Sequence, residues 1–342
     1  MRDWQDHGFP VLGERTMEDR FGRRIDYLRI SITDRCNLRC LYCMPAGGIK
    51  VKPRDEILRL EELLHLARIA LQLGINKFRL TGGEPLLRRG VIPFIQALAL
   101  LPGVADLSLT TNGVLLTHLN EQLWGAGVRR LNISLDTLDP VKYRQMTRGG
   151  EFHQVWDGIM EALSVGFQPV KLNVVALNQF NDREWVQFAR LTYEYPLHVR
   201  FIEIMPVGVS WELAGSHFAS SRQVRERIEQ ALGVLDPAEA VTGNGPASSY
   251  RLAGARGTIG FIGAVSSHFC DRCNRLRLTA DGKLRPCLHD QREVELLQAL
   301  RSGASDAELQ DLFRTALLMK PANYHEATGA PANGRGMCQI GG

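Results

Sequence analysis

Three cysteines lie close together near the start of the chain, Cys36, Cys40 and Cys43, with the spacing CxxxCxxC. Thiolates are the usual protein ligands of iron–sulfur clusters, and three of them can ligate only three irons of a four-iron cube. The fourth iron would stay open to a substrate or cofactor, as at catalytic metal centres. A structural zinc knot or three buried thiols are the alternatives. Zinc is disfavoured because no fourth Cys or His follows Cys43 closely.

A second group of cysteines lies late in the sequence, where Cys270 and Cys273 form a CxxC and Cys287 follows. This group again supplies three ligands rather than four. One alternative is a zinc site completed by His268 or His289, since three cysteines and one histidine are a common structural set. A redox dithiol is another alternative, although Cys287 would then have no role.

Basic side chains recur within the runs that we predict to be strands, where a cation needs an anion or an open cavity. Arg275 and Arg277 are two residues apart, so both guanidinium groups would point to one face of a strand and could hold phosphate oxygens. A solvated strand face is the alternative. The other strand cations are Arg29, Lys77, Arg79 and Lys171. Together they predict a pocket for several negative charges, and a polyphosphate is the natural ligand.

The elements that must position these residues alternate between strand and helix patterns through the first 205 residues. The β-rich runs are Tyr27–Ile32, Lys77–Leu80, Asp106–Thr110, Arg129–Ser134, Val170–Ala176 and Val199–Ile204. The helical patterns include Leu60–Leu73, Val91–Leu101, Glu151–Val165 and Asp182–Tyr193. Such alternation favours parallel strands joined by crossover helices. We therefore predict an α/β fold with a partial (βα)6-type TIM barrel, open on one side. An open doubly wound sheet is the alternative.

The pattern changes at the loop Thr242–Ala247, which has the sequence TGNGPA. Short β-like segments follow at Ser249–Leu252, Gly257–Ile262 and Leu276–Leu278, and helical patterns follow around Val294–Arg301 and Asp306–Met319. We predict a core domain at residues 1–235 and a smaller C-terminal α+β extension at residues 236–342. The composition of the last residues, Asn323–Gly342, is as compatible with disorder as with structure.

Polar residues follow the predicted strands at their C-terminal ends, where chemistry collects in parallel α/β folds. Each motif alone is more often only a turn. The residues concerned are Cys36 after the first strand, Gly82-Gly83-Glu84-Pro85 after the second, Thr110-Thr111-Asn112-Gly113 at the third, Ser134-Leu135-Asp136 at the fourth and Met205-Pro206 after the sixth. Their joint placement predicts one active-site rim. The double glycine would let backbone approach a ligand closely, because no Cβ intervenes.

The bulk composition is that of an ordinary globular protein, with 342 residues, 44% hydrophobic and 23% charged. No apolar run of about 18 residues and no apolar signal core occur, so we expect a cytoplasmic protein without a membrane partner. The net charge of +4 comes without a dense Lys/Arg block, which argues against nucleic acid as a partner. Seven cysteines are an odd set for disulfides and are better explained as metal ligands.

The run Cys36–Cys43, with Tyr42 just before the third cysteine, resembles the signature of the radical S-adenosylmethionine (SAM) superfamily. In that superfamily the amino and carboxylate groups of SAM chelate the open iron, and one electron cleaves SAM to a 5′-deoxyadenosyl radical. The resemblance implies a set of SAM contacts on the predicted rim. These are Tyr42, Gly82, Gly83, Glu84, Ser134 and the backbone of Met205.

Nearly the whole chain is similar to the molybdenum cofactor biosynthesis protein A family, the GTP 3′,8-cyclases. The segments that carry this similarity are DYLRISITDRCNLRCLYCMP, FRLTGGEPLLR, TTNG, LNISLDTL, KLNVV, RFIEIMPVG, CDRCNRLRLTADGKLRPCL and the terminal IGG. The similarity implies conversion of GTP to (8S)-3′,8-cyclo-7,8-dihydroguanosine 5′-triphosphate, the first step of molybdopterin biosynthesis. It implies that the radical removes H3′ and that C3′ then bonds to C8.

The same similarity implies two 4Fe-4S clusters, one bound by Cys36, Cys40 and Cys43 with SAM and one facing the substrate. The ligands of the second cluster would be Cys270, Cys273 and Cys287. The catalytic residues holding triphosphate and purine would be Arg29, Arg79, Lys171, Arg275 and Arg277, and Thr110 and Leu276 would also contact GTP. The Gly341-Gly342 tail would reach into the active site.

The implied partners are GTP, an external one-electron donor and the downstream cyclic pyranopterin monophosphate synthase. The chain would act as a monomer or homodimer. Two other classes of protein remain as alternatives. One is a peptide-modifying radical SAM maturase, which usually needs more C-terminal cysteines. The other is a zinc-stabilised binding protein that is not an enzyme. The remaining thiol, Cys338, has no assigned role.

Overall fold

The computed structural model describes residues 17–243, 245–327 and 335–341. Its strands are β1 (Tyr27–Ser31), β2 (Lys77–Thr81), β3 (Asp106–Thr111), β4 (Arg130–Ser134), β5 (Val170–Ala176), β6 (Leu197–Glu203), β7 (Asp236–Pro237), β8 (Ser248–Arg251), β9 (Thr258–Ile262), β10 (Arg275–Leu278), β11 (Lys283–Arg285) and β12 (Val294–Glu295). They form one sheet in the order β12-β11-β10-β1-β2-β3-β4-β5-β6-β9-β8-β7. The prediction of an α/β fold with a partial barrel is confirmed.

The helices connect and cover the strands. They are α1 (Leu60–Gln72), α2 (Val91–Ala99), α3 (Leu116–Gly125), α4 (Pro140–Thr147), α5 (Phe152–Val165), α6 (Trp185–Glu194), α7 (Ser210–His217), α8 (Ser221–Leu232), α9 (Leu297–Arg301), α10 (Asp306–Leu318) and α11 (Met337–Ile340). Short 3-10 turns occupy Arg54–Glu56, Pro85–Leu87, Asp182–Glu184, Cys270–Arg272 and Tyr324–Glu326. Within the described ranges, no helix is both long and apolar enough to cross a membrane.

Eight neighbouring strands of the sheet run parallel, because β9 and β10 flank the six strands of the N-terminal βα units. Antiparallel strands extend both edges, and no ladder between described residues joins β7 to β12. Alternate residues such as Leu28 and Ile30 are fully buried against the helices. Each such side chain contributes about 1.5–3 kcal/mol when it leaves water.

The strand register determines the layer of charge inside the barrel. Arg29 is paired with Arg277 of β10 on one side and with Arg79 of β2 on the other. Arg79 is paired in turn with Ser108, and Ser108 with Arg130. Side chains at paired positions point to the same face of a sheet, so these arginines form one layer across neighbouring strands.

Most predicted elements agree with the structure to within one to three residues, but the helix that we predicted around Val294–Arg301 is partly wrong. Residues Val294–Glu295 form β12, and only Leu297–Arg301 is helical. The apolar residues Val294 and Leu296 are buried against the sheet. Helices α3, α4, α7, α8 and α11 were missed, as were strands β7 and β11. The proposed boundary after residue 235 stays a prediction, and the sheet runs across it.

Gly257 provides a test of the junction between β6 and the C-terminal region. A Cβ at this position would lie 1.9 Å from the carbonyl oxygen of Leu197, which is backbone and cannot easily move. We expect Gly257→Ala to lower the free energy of unfolding by about 2–4 kcal/mol, measured by urea denaturation.

The matched control is Gly125→Ala in α3, where a Cβ would have no atom within 4 Å. This change should be neutral or stabilise the protein by up to about 1 kcal/mol. Equal urea midpoints for Gly257→Ala and the wild-type protein would contradict the register of β6 and β9.

Candidate functional site

Both cysteine triads line a single cavity at the C-terminal ends of the parallel strands. They meet there because β10, which follows the CxxC, pairs directly with β1, which precedes the first triad. Of the predicted site residues, the cavity is lined by Arg29, Cys36, Cys40, Tyr42, Cys43, Arg79, Gly82, Gly83, Thr110, Ser134, Met205, Cys270, Cys273, Arg275, Arg277 and Cys287. The structure therefore brings these residues together in one cavity, and their role as an active site stays a prediction.

The first triad lies on the loop that leaves β1. The backbone N–H of Leu38 donates to Cys36 Sγ over 3.4 Å, and Asn112 Nδ2 lies 3.8 Å from the same sulfur. Burial raises the pKa of Cys36 and, more strongly, that of Cys40. Iron cations would offset this cost of holding thiolates, so the sulfur donors and their half-buried setting fit a cluster.

The double glycine after β2 packs directly against this loop. A Cβ on Gly83 would lie 2.3 Å from the carbonyl oxygen of Arg35, and one on Gly82 would lie 2.6 Å from that of Thr33. Backbone N–H groups of Gly83 and Glu84 donate to the same two carbonyls. Only residues without a side chain allow this approach, so the glycines position the cysteine loop as well as exposing backbone to the cavity.

Glu84, which we predicted to be a SAM contact, is fully buried and does not line the cavity. Its carboxylate accepts hydrogen bonds from Leu86 N at 3.0 Å, Thr111 Oγ1 at 2.8 Å and Asn112 N at 2.7 Å. Burial raises its pKa to about 7, against the lowering effect of these donors. Glu84 thus joins the turn after β2 to the turn after β3.

On the opposite side, Tyr42 OH donates to Asp136 Oδ2 over 2.9 Å, and Val175 N donates to Asp136 Oδ1 over 2.7 Å. Burial raises the pKa of Asp136 to about 6. Asp136 and Ser134 both line the cavity at the end of β4. The carbonyl of Met205 accepts from Ser210 Oγ and Val207 N.

The cations form the most concentrated charge in the cavity. Burial is the main cause that lowers the pKa of Arg277 to about 10 and that of Arg200 to about 9, and neighbouring arginines add to it. Burial also lowers the pKa of Arg29 and of Arg79. Arg200 was missed by the sequence analysis, although it lies within a β-rich run and lines the cavity beside Asn173.

Several buried polar atoms facing the cavity have no hydrogen-bond partner within the part of the chain that the structure describes. They are Thr110 Oγ1, Asn173 Oδ1, Arg200 Nε and Arg275 Nε. Buried polar atoms normally have partners, because leaving one unpaired costs about 1–3 kcal/mol. A ligand with anionic oxygens and hydrogen-bond donors would supply partners: its oxygens would accept from Arg200 Nε and Arg275 Nε, and a donor would bond to Asn173 Oδ1.

Two predicted GTP contacts do not line the cavity. Lys171 lies deeper in the barrel, where its ammonium donates to the carbonyls of Thr242 at 2.5 Å and Val241 at 3.4 Å. Burial and the adjacent Arg200 lower its pKa to about 6. The side chain of Leu276 is fully buried in the apolar core, on the strand face opposite Arg275 and Arg277.

In the second triad, Cys270 and Cys273 lie between β9 and β10, and Cys287 follows β11. Burial raises the pKa of Cys273, but the charges of Lys320 and Arg275 outweigh it and lower the pKa to about 7. His289 lines the cavity beside Cys287, and burial lowers its pKa to about 4. A neutral imidazole and an easily ionised thiol make this a donor-rich face for a metal cluster.

A zinc site completed by histidine finds no support here. His268 contacts the rings of Tyr324 and His325, with centroids 4.3 and 5.2 Å apart. Among residues 17–243, 245–327 and 335–341, no group of three His, Cys, Asp or Glu side chains is arranged to hold a single metal ion. The assignment of both triads to iron–sulfur clusters stays a prediction.

The C-terminal tail enters the same cavity region. Arg277 Nη1 donates to the carbonyl of Gly341 over 3.1 Å. Gly341 has φ +74, and a Cβ there would lie 2.3 Å from Thr81 Oγ1, so glycine is required. Arg335 anchors the tail through two 2.8 Å bonds to Asp281. Gly342 lies outside the described residues.

Comparison with known proteins agrees with this geometry. The model of the Radical SAM superfamily matches residues 30–192, and that of Molybdenum Cofactor Synthesis C matches residues 197–326. The SAM-bound structure of Streptococcus suis SuiB covers 92% of this chain and 77% of that chain, with a TM-score of 0.61 at 14% identity, and supports the fold alone. The fold and the candidate site therefore place this chain among the radical SAM proteins.

Curated relatives narrow this class. The GTP 3′,8-cyclase of Moorella thermoacetica is 51% identical over 326 residues, which is 95% of this chain and 100% of the relative. The GTP 3′,8-cyclase of Pelotomaculum thermopropionicum is 50% identical over the same shares of both chains. The chain therefore belongs to the GTP 3′,8-cyclase family.

The raised pKa of Glu84 predicts a specific pH dependence of stability. Between about 4.5 and about 7 the folded protein keeps a proton on Glu84 that the unfolded chain releases. The contribution of Glu84 to stability is therefore present below this window and is lost as the pH rises through it. Glu84→Gln is neutral at every pH and lacks this effect.

The measurement is urea unfolding of both iron-free proteins at pH 5, 6, 7 and 8. The free energy of unfolding of the wild-type protein should fall relative to Glu84→Gln by at most about 3 kcal/mol across the series. Parallel pH profiles would show that Glu84 is ionised at pH 5 in the folded protein.

Proposed function

We propose that this protein is a GTP 3′,8-cyclase, a radical SAM enzyme that converts GTP to (8S)-3′,8-cyclo-7,8-dihydroguanosine 5′-triphosphate for molybdenum cofactor biosynthesis. One observation carries the proposal: two cysteine triads face a single cavity with Arg29, Arg79 and Arg277 in one layer beside them. A cavity that can bind SAM at one place and a nucleoside triphosphate at another fits a reaction between SAM and GTP.

SAM and one 4Fe-4S cluster would be held at the end of the cavity formed by Cys36, Cys40 and Cys43. When bound, they would supply a 5′-deoxyadenosyl radical to remove H3′ of GTP. The C3′ radical would then bond to C8, and one electron and one proton from outside the chain would complete the 7,8-dihydro product. Backbone of Gly82 and Gly83 would bind the SAM amino group, Ser134 its carboxylate or ribose, and backbone at Met205 its adenine. Tyr42 and Glu84 would position this end rather than touch the reacting atoms.

GTP would be held at the other end of the cavity. Guanidinium forks of Arg29, Arg79, Arg275 and Arg277 suit phosphate oxygens, and we add Arg200 to this set. Thr110 Oγ1 is an available polar partner. Lys171 would act indirectly, by holding the carbonyls of Val241 and Thr242 beneath the arginines rather than by touching GTP.

We further propose that Cys270, Cys273 and Cys287 hold a second 4Fe-4S cluster whose open iron faces the purine. The three cysteines line the same cavity as the first triad, which supports the proposal of two clusters. The cations would fix the triphosphate while the purine lies against the cluster, so that the ribose is fixed between the two ends. A primary radical reacts with whatever is near, so this positioning and the exclusion of water determine the product.

The remaining partners are also proposals. Cleavage of SAM requires a one-electron donor from outside the chain. The triphosphate product requires a further enzyme, which in this pathway is cyclic pyranopterin monophosphate synthase. We place the reaction in the cytoplasm and expect a monomer or homodimer.

The function predicts a substrate-specific reaction. The iron-reconstituted protein, assayed without oxygen with SAM, dithionite and each of the four nucleoside triphosphates, should yield a cyclised product only with GTP. Deuterium at C3′ of GTP should appear in 5′-deoxyadenosine, as measured by chromatography and mass spectrometry. Cleavage of SAM without nucleotide preference would support a radical SAM enzyme but would reject GTP as its substrate. Unlabelled 5′-deoxyadenosine would reject C3′ as the abstraction site.

The tail contact predicts a separation between cluster content and turnover. Deleting Gly341 and Gly342 removes the carbonyl that accepts from Arg277, so the product should fall at least tenfold while iron content stays near that of the wild-type protein. The full-length control is Val234→Ala, which changes an exposed side chain outside the tail and keeps both terminal glycines. Joint loss of iron and turnover in the deletion variant would assign the tail a folding role.

A further inference from the structure

Lys320 is a buried lysine that lies against the second cysteine triad. Its side chain is only 2% exposed, two residues after the end of α10. The ammonium group donates to Pro286 O at 2.8 Å, Arg275 O at 2.9 Å and Cys273 Sγ at 3.5 Å. These three acceptors use all three ammonium protons.

The charge of this ammonium group needs a compensating anion. Two of its three acceptors are neutral carbonyls, and none of the three is a carboxylate. Burying an unpaired charge costs several kcal/mol even after relaxation. Arg275 and Arg277 add further positive charge nearby, which makes the isolated cation still less favourable. The sulfur of Cys273 is the acceptor that can carry negative charge, and it is a predicted cluster ligand.

The same contacts join the two parts of the triad. Cys273 is followed by β10, whose first residue supplies the Arg275 carbonyl, while the Pro286 carbonyl directly precedes Cys287. Lys320 therefore holds the CxxC segment and the third cysteine at a fixed separation. None of the sequence motifs identified this lysine, since it lies 47 residues from Cys273.

We propose that Lys320 is a positioning residue and the counter-charge of the second iron–sulfur cluster, an inference that rests on the proposed two-cluster function. A cluster with three thiolate ligands carries net negative charge, and reduction adds one more. Cluster charge and hydrogen bonds to sulfur set the reduction potential. A fixed cation donating to Cys273 Sγ stabilises the reduced form more than the oxidised form, so Lys320 raises the potential of this cluster.

The test isolates the second cluster by replacing Cys36, Cys40 and Cys43 with alanine. This parent protein should hold about four irons after anaerobic reconstitution. Iron content and the midpoint potential, followed by electron paramagnetic resonance during reductive titration, are then compared for Lys320→Met and Lys320→Arg. The exposed Lys50→Met serves as the matched control for loss of a lysine.

We expect Lys320→Met to lose iron or to shift the midpoint to a more negative potential. Lys320→Arg should stay close to the parent, and Lys50→Met should not change either property. If Lys320→Met has the same iron content and the same midpoint potential as the parent protein, the proposal is overturned. Equal losses in the Met and Arg variants would assign Lys320 a packing role and overturn the counter-charge.

Two controls separate this inference from folding and from the proposed function. In the chain that keeps all six triad cysteines, Lys320→Met should still cleave SAM to 5′-deoxyadenosine at the first cluster. Loss of that cleavage would show global damage, and the proposal would then fail unless Lys320→Arg restored it. A parent protein without bound iron would instead reject the second cluster itself, whatever Lys320 does.

Discussion

Positive charge enclosed in a barrel is the constraint on which this structure depends. Arg277, Arg29 and Arg79 stand at paired positions of three adjacent strands, so strand pairing alone brings their guanidinium groups together. Burial is the main cause that lowers the pKa of each one, and the charge of neighbouring arginines adds to it. Such a site is costly when empty and favourable when a polyphosphate fills it. The surrounding parts, from the glycine turn to the C-terminal tail, keep this charge in place beside two groups of thiols.

The sequence was sufficient to predict what depends on local pattern. Alternating β-rich and helical runs identified the six βα units, and cysteine spacing identified both triads, because these signals lie within short stretches of the sequence. Contacts set by tertiary structure were not accessible in this way. Lys320 gave no signal, since its partner Cys273 is 47 residues away. Arg200 lies within a predicted strand, as the other selected cations do, but its contact with Asn132, 68 residues away, could not be read from the sequence. Glu84 was assigned to the ligand because a motif reveals a carboxylate but not the direction in which it points.

The C-terminal region supplies two strands of the barrel wall in addition to the segments that lie outside it. Its strands β9 and β10 extend the parallel sheet at both edges, which changes six predicted parallel strands into eight. This arrangement explains why the second triad faces the first across one cavity. It also explains why the two matched family models, although separate along the sequence, describe halves of a single site.

The pairing of β1 with β10 has a consequence for biosynthesis. At this seam Asn274 Nδ2 donates to Asp26 Oδ1, a contact between residues 248 positions apart. Long-range pairing forms late, because the entropy of closing a large loop must be overcome before the contacts form. During translation, the N-terminal βα units leave the ribosome with an uncovered strand edge at β1 and an incomplete arginine layer. The enclosed site thus comes into existence only when nearly the entire polypeptide has been made, and the second triad reaches the cavity only at that stage.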